Sequence, residues 1–203
     1  MNYKYLFVGL GNPGSEYENT RHNIGWMVAD AFVAKHSGTF KGGRGEWYEA
    51  EVMFRRHSVL VVKPTTYMNL TGEAVKVLMR KHQIPTEKIV GIVDEYNFPV
   101  GKIHLKAVRS DGGHNGIKSM LEHIPKSDFS LLRCGISKNF GLGELVKYVL
   151  SPFPESEKIE LQSMIELSTK ALEAVLVHGI LKSMNIINSW KSSTQENSTI
   201  LKD

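Results

Sequence analysis

The run from Gly9 to Gly25, G-L-G-N-P-G-S-E-Y-E-N-T-R-H-N-I-G, places Asn12, Arg21 and His22 close together in the chain. A neutral imidazole can take a proton from a nucleophile. A carboxylate on its other ring nitrogen fixes the tautomer and supports the charge that develops. Asp94, which follows the apolar run Lys88 to Val93, is the partner this reading assigns to His22. There is no G-x-S-x-G elbow, and the single cysteine, Cys134, lies in the strand-like run Leu131 to Ile136 as a buried structural thiol. Water is therefore the expected nucleophile. No H-E-x-x-H occurs and no paired His/Cys spacing of a zinc site, so neither a metal nor a cofactor is expected.

Asn12, Asn69 and Asn115 each offer donors and acceptors without charge. They suit a substrate of amides, hydroxyls and ester oxygens. Gly112-Gly113-His114-Asn115-Gly116 lets backbone approach a ligand closely. Its N–H groups and the helix that follows are candidates to hold a phosphate, with Lys106 and Arg133 supplying charge. His114 is read as structural, bonding the loop backbone, because no acidic partner for it is evident in sequence.

Gly9, Gly11 and Gly14 also fit the dinucleotide pattern G-x-G-x-x-G. That pattern requires a helix to open at the glycines. Here Pro13 and the polar run Ser15 to Asn19 delay the helix until Ile24, so the dinucleotide reading is rejected.

These residues need strands and helices to bring them together. Strands are expected at Lys4 to Leu10, Trp47 to Phe54, Ser58 to Lys63, Lys88 to Val93, Lys102 to Val108 and Ser130 to Ile136. Arg55-Arg56-His57 is the turn of a hairpin, and residues 38–45 a glycine-bearing loop. Helices are expected at Ile24 to Ser37, with Asn19 or Thr20 as N-cap and Gly38 as stop, at Met68 to His82, and at Ile117 to His123. A helical region from Leu142 to Ser189 is broken at Ser151-Pro-Phe-Pro154. The alternation argues for a single α/β domain with a mixed, twisted central β-sheet flanked by helices. Asn12 and His22, the segment Pro64 to Asn69, Asp94, and the loop Asp111 to Asn115 all follow strands, so they can converge on one crevice.

The chain has 203 residues, 41% hydrophobic, which suits one domain over residues 1–188 with a polar, poorly ordered tail over 189–203. Lys plus Arg number 25 against 21 acids, a net charge of +4, which permits a nucleic-acid partner without requiring one. No apolar run reaches membrane-span length, and the start M-N-Y-K-Y lacks a signal-peptide layout. One cysteine fits a reducing compartment.

Four motifs, in order along the chain, resemble bacterial-type peptidyl-tRNA hydrolase. They are V-G-L-G-N-P-G-x-x-Y-x-x-T-R-H-N-x-G at Val8 to Gly25, K-P-T-T-Y-M-N-L-T-G at Lys63 to Gly72, D-E-x-x-x-P-x-G at Asp94 to Gly101 and G-G-H-N-G-I-K-S at Gly112 to Ser119. The resemblance implies a monomeric cytoplasmic enzyme that cleaves the ester between a peptide and the 3′ ribose of tRNA. It implies His22 as general base, Asp94 as its orienting partner, and Asn12, Asn69 and Asn115 as substrate contacts. Tyr17 and Met68 would line the site, Lys106 and Arg133 would clamp the tRNA 5′ phosphate, and Gly141 to Phe153 would form a mobile lid. A non-catalytic RNA-binding protein and a small-molecule esterase are the rival readings.

The chain departs from the family pattern at its RNA-facing rim. Arg109-Ser110-Asp111 replaces a glycine-rich run, Arg133-Cys-Gly-Ile-Ser-Lys-Asn139 lacks a usual second glycine and proline, and His104 stands at a position that is often Arg or Lys.

Overall fold

A computed structural model describes residues 3–125 and 128–190. Seven strands form one mixed sheet: β1 Tyr5–Gly9, β2 Lys41–Gly42, β3 Trp47–Phe54, β4 His57–Pro64, β5 Ile89–Glu95, β6 Ile103–Ala107 and β7 Ser130–Gly135. Their spatial order is β2-β3-β4-β1-β5-β7-β6. The central strands β4, β1, β5 and β7 run parallel, and β3, β2 and β6 pair antiparallel at the edges. The fold is a single-domain α/β architecture, as the alternating pattern requires.

Alternation along the strands divides the core into two layers. Tyr5 and Phe7 of β1 face one layer with Val90 and Ile92 of β5, while Leu6 and Val8 face the other with Ile89 and Val93. Two long helices, α1 Ile24–Lys35 and α5 Lys158–His178, cover the first layer, joined by α6 Ile180–Asn188. The second is covered by α2 Thr71–Lys81 and α3 Asn115–His123. The short helix α4 Leu145–Val149 lies between β7 and α5. β1 has β4 on one side and β5 on the other, reached through helices on opposite faces, so a crevice opens at the carboxyl ends of these strands.

The helix ends differ from expectation for local reasons. A 3₁₀ turn, Arg21–Asn23, precedes α1, and Thr20 does not cap it; its Oγ1 donates to the Tyr17 carbonyl 2.8 Å away. The stop of α1 is Ser37, at φ 55°, while the Gly38 N–H donates back to the Val33 carbonyl. Met68–Leu70 forms a 3₁₀ turn before α2, where the Met68 N–H donates to Asn12 Oδ1. Lys41–Gly42, expected as loop, pairs with β3 as a short edge strand. The helical region from Leu142 is broken at Ser151 to Pro154 and again at Gly179, whose φ of 80° separates α5 from α6. The expected tail over 189–203 lies, from residue 191 on, outside the described residues. Among the described residues, no helix is long and apolar enough to cross a membrane.

Candidate active site

The 3₁₀ turn carrying His22 is held against the sheet by a close approach at Gly25. A Cβ there would lie 2.3 Å from the Ile92 carbonyl oxygen and 2.4 Å from that of Leu10. Gly9 and Gly11 serve the same packing, against Gly25 and the Trp26 ring, which accounts for two glycines of the dinucleotide-like pattern. Asn23 is fully buried and clips the loop: its Oδ1 accepts from the Asn12 N–H and its Nδ2 donates to the Asn12 carbonyl. Sequence reasoning missed Asn23, although it stands next to His22 in the motif.

Arg21 anchors the other side of this turn. It is buried, pairs with Glu157 at 2.7 Å and donates to the Ile136 carbonyl. Its guanidinium lies over the rings of Tyr148, at 4.6 Å, and Phe153, at 4.7 Å. The segment expected as a lid, Gly141 to Phe153, is thereby fastened to the histidine turn at its carboxyl end.

Asp94, at the carboxyl end of β5, accepts two hydrogen bonds on one oxygen. His22 Nδ1 lies 2.8 Å from its Oδ1, and His114 Nε2 lies 3.0 Å from the same atom. The two rings are 4.8 Å apart, centroid to centroid. The three side chains are only 11%, 4% and 9% exposed for His22, Asp94 and His114. Burial alone would raise the Asp94 pKa. The adjacent imidazoles outweigh it and hold the carboxyl well below its usual range. Burial lowers the His22 pKa, but the Asp94 charge and hydrogen bond overcome that and raise it above 6.5.

The acidic partner for His114 that sequence did not reveal is therefore Asp94, contributed from a different strand. His114 also caps α3: its Nδ1 accepts from the N–H groups of Gly116 and Ile117, at 3.1 and 3.3 Å. A ring nitrogen that accepts backbone N–H bonds carries no proton, so Nε2 is the protonated nitrogen that donates to Asp94. His22, Asp94 and His114 form the one group among the described residues whose donor atoms, within 4.8 Å of one another, have metal-ligand chemistry. A protonated Nε2 is a donor and not a ligand, so the capping tautomer turns this group toward proton chemistry.

This arrangement corrects the expectation of a phosphate cradle in the glycine loop. The Gly116 and Ile117 N–H groups are taken by His114, and the Gly113 N–H by Asp111 Oδ1 at 2.6 Å. Asp111 thus shapes the loop around Gly112 and Gly113, both at positive φ, rather than standing as a bare charge.

A cavity of about 290 Å³ opens above the pair. Asn12, Met68, Asn69 and Asn115 line it, together with Tyr67, Ile117 and the apolar face of α4. Asn12 is buried; Asn69 and Asn115 are exposed at the mouth. Arg133 reaches the cavity, but its Nη1 is paired with the buried Glu95, a partner not evident in sequence. Lys106 lies outside the lining, exposed on β6. Tyr17 is also outside it, in the turn before His22. Cys134 is buried near Ser168 Oγ, and burial pushes its thiol up to about 12, which makes it inert as a nucleophile.

A family model described as peptidyl-tRNA hydrolase matches residues 6–197. The chain belongs to the peptidyl-tRNA hydrolase family. Relatives named peptidyl-tRNA hydrolase include one from Bacillus pumilus, 42% identical over 187 residues that cover 90% of this chain and 97% of its own. Another, from Listeria monocytogenes serovar 1/2a, is 38% identical over 183 residues, covering 90% and 98%. The crystal structure of peptidyl-tRNA hydrolase from Acinetobacter baumannii superposes with a TM-score of 0.87 at 32% identity, over 94% of this chain and 97% of that one. Family membership accounts for the order of the four motifs along the sheet.

Proposed function

We propose that this chain hydrolyses the ester joining a peptide, or an N-blocked amino acid, to the 3′ ribose of tRNA, and so recycles peptidyl-tRNA released prematurely from ribosomes. Membership of the family supports the reaction class. The observation that carries the mechanism is the 2.8 Å contact of His22 Nδ1 with Asp94 at the foot of the asparagine-lined cavity.

In this mechanism Nδ1 donates to Asp94, which leaves Nε2 to accept a proton from water. The water attacks the ester carbonyl as its proton moves to Nε2. The C–O bond to the ribose then breaks, and the imidazolium returns that proton to the leaving 3′ oxygen. The Asp94 charge stabilises the imidazolium throughout. Asn12 Oδ1 is held by the Met68 N–H, which fixes this amide in the cavity wall, and Asn69 and Asn115 stand at the mouth. One of these amides supports the oxyanion. No step uses a metal. Lys106 and Arg133 contact tRNA phosphate, and the protein works as a cytoplasmic monomer.

The test is release of an N-blocked amino acid from its tRNA, with unblocked aminoacyl-tRNA alongside, for wild type and His22→Ala, each with and without a chelator. Selective cleavage of the blocked ester is expected, insensitive to chelator. His22→Ala should lower kcat by about 10²–10⁴-fold. Near-normal turnover in the variant would refute the base assignment. Loss of activity with chelator would refute metal independence. Binding of tRNA with no cleavage would favour a non-catalytic RNA-binding protein, and cleavage indifferent to the tRNA portion would favour a small-molecule esterase.

A further inference from the structure

We propose that His104 is a proton-dependent phosphate contact beside Lys106 and Arg133, so that tRNA binding takes up a proton at this ring. The inference rests on the peptidyl-tRNA reading and adds one contact to it. β6 and β7 pair with His104 opposite Arg133 and Lys106 opposite Leu131. Ile103, Leu105, Leu132 and Cys134 point into the core layer under α1 and α5. Strand alternation therefore puts His104, Lys106 and Arg133 together on the other face. Directly opposite and diagonal positions on one sheet face lie within reach of side chains this long.

The His104 ring is half-buried, tilted against Phe98 at 5.7 Å between centroids. The charged groups around it are Lys102 just before its strand, Lys106 on that strand, Arg133 on β7 and Glu95 on β5. Three cations thus face one carboxylate, and that carboxylate is already paired with Arg133. Burial first, then Lys106, Lys102 and Arg133, lower the pKa of the ring, and Glu95 only partly offsets them. The ring is uncharged at neutral pH in the free protein.

A phosphate placed among these cations reverses that balance. It screens their repulsion and offers the ring nitrogen a charged acceptor. Linkage then requires that whatever raises the His104 pKa on binding also tightens binding as pH falls. An Arg or Lys at this position would hold its charge across the whole range. The histidine makes the contact conditional on pH.

The experiment is the Kd of the full chain for deacylated tRNA at fixed salt, from about pH 8 to about pH 5.5, for wild type, His104→Gln and His104→Arg. Over that range wild-type affinity should rise by about three- to tenfold more than that of His104→Gln, as expected when one ring gains a charge beside phosphate. His104→Arg should bind more tightly than wild type at the alkaline end and show the shallower slope. Calorimetry in two buffers of different ionisation heat should show proton uptake in wild type that both variants reduce. The same slope and uptake in His104→Gln as in wild type would overturn the inference. If that variant does not fold, a wild-type slope in His104→Arg overturns it equally. Failure of the wild-type protein to bind or cleave N-blocked aminoacyl-tRNA would instead overturn the peptidyl-tRNA reading itself. Cleavage with a slope indifferent to His104 would overturn this inference alone. Repeating the series with tRNA lacking its 5′ phosphate identifies the source: a slope lost with that group assigns the contact to the terminal phosphate, and a retained slope assigns it to a backbone phosphate.

Discussion

Replacing Asp94 by Asn keeps the shape of the His22 partner and removes its charge. Both imidazoles meet the same oxygen, Oδ1, so an amide oxygen in that place can still accept from both. What changes is the balance at His22, where burial lowers the pKa and the carboxylate raises it above 6.5. Without the charge, burial acts alone and the pKa falls below that value. Unit charges about 4 Å apart at an effective dielectric of about 20 attract by ~4 kcal/mol, enough for the carboxylate to outweigh the burial of the ring. With that attraction gone, a downward move of the His22 pKa is expected. The base acts only when neutral, so kcat/KM climbs as pH rises through the His22 pKa. In Asp94→Asn the acid limb should therefore move to lower pH. The plateau should fall by about ten- to a hundredfold, because the imidazolium formed on proton transfer has lost its counter-charge. The assay is kcat/KM for an N-blocked aminoacyl-tRNA from about pH 5 to about pH 9, with the limb fitted for both proteins. An acid limb that stays in place, or moves to higher pH, would refute the assignment of Asp94 as the group that raises His22.

His114→Ala removes a helix cap and one of the two donors on Asp94; a cap loss of about 1 kcal/mol predicts a Tm lower by about 2–4 °C, together with reduced kcat. His114→Asn should recover most of the Tm, since Asn caps well, but not the kcat, since it is too short to bridge to Asp94; recovery of both in thermal melting and turnover assays would show that the Asp94 contact is immaterial. Gly25→Ala drives a methyl group into the Ile92 and Leu10 carbonyls, so α1 must lift from the sheet at a cost of about 1–3 kcal/mol, and both Tm and kcat should drop. An unchanged Tm would mean that the close approach at Gly25 does not set the height of the His22 turn.

The parts of the molecule legible in sequence are those set by local pattern. The continuous apolar runs at Tyr5 to Val8 and Ile89 to Val93 mark strands of a covered sheet, and chemistry placed just after such strands converges when the sheet forms. His22, Asp94 and the three asparagines are found this way. What pattern cannot show is pairing between segments far apart in the chain. Glu95 reaches Arg133 across neighbouring strands, and Asn23 bonds back to Asn12 across a loop; neither contact has a periodic signature. The second break in the helical region failed for a related reason, because a single Gly179 inside apolar sequence looks like a tolerated helix residue until its φ is known.

His114 shows how the local and distant constraints become one. Glycines at 112 and 113 turn the chain so that its ring can cap α3, and the cap requires an unprotonated Nδ1. The cap thereby fixes the proton on Nε2, which points at Asp94. Asp94 in turn receives two donors on one oxygen and stays ionised despite its burial, and an ionised Asp94 is what raises His22. A helix-capping preference, local and conformational, is thus transmitted through two hydrogen bonds to the proton affinity of a ring in another segment of the chain. Substitutions that loosen the start of α3 without touching the cavity should for that reason alter the pH dependence of the reaction, and not merely the stability of the fold.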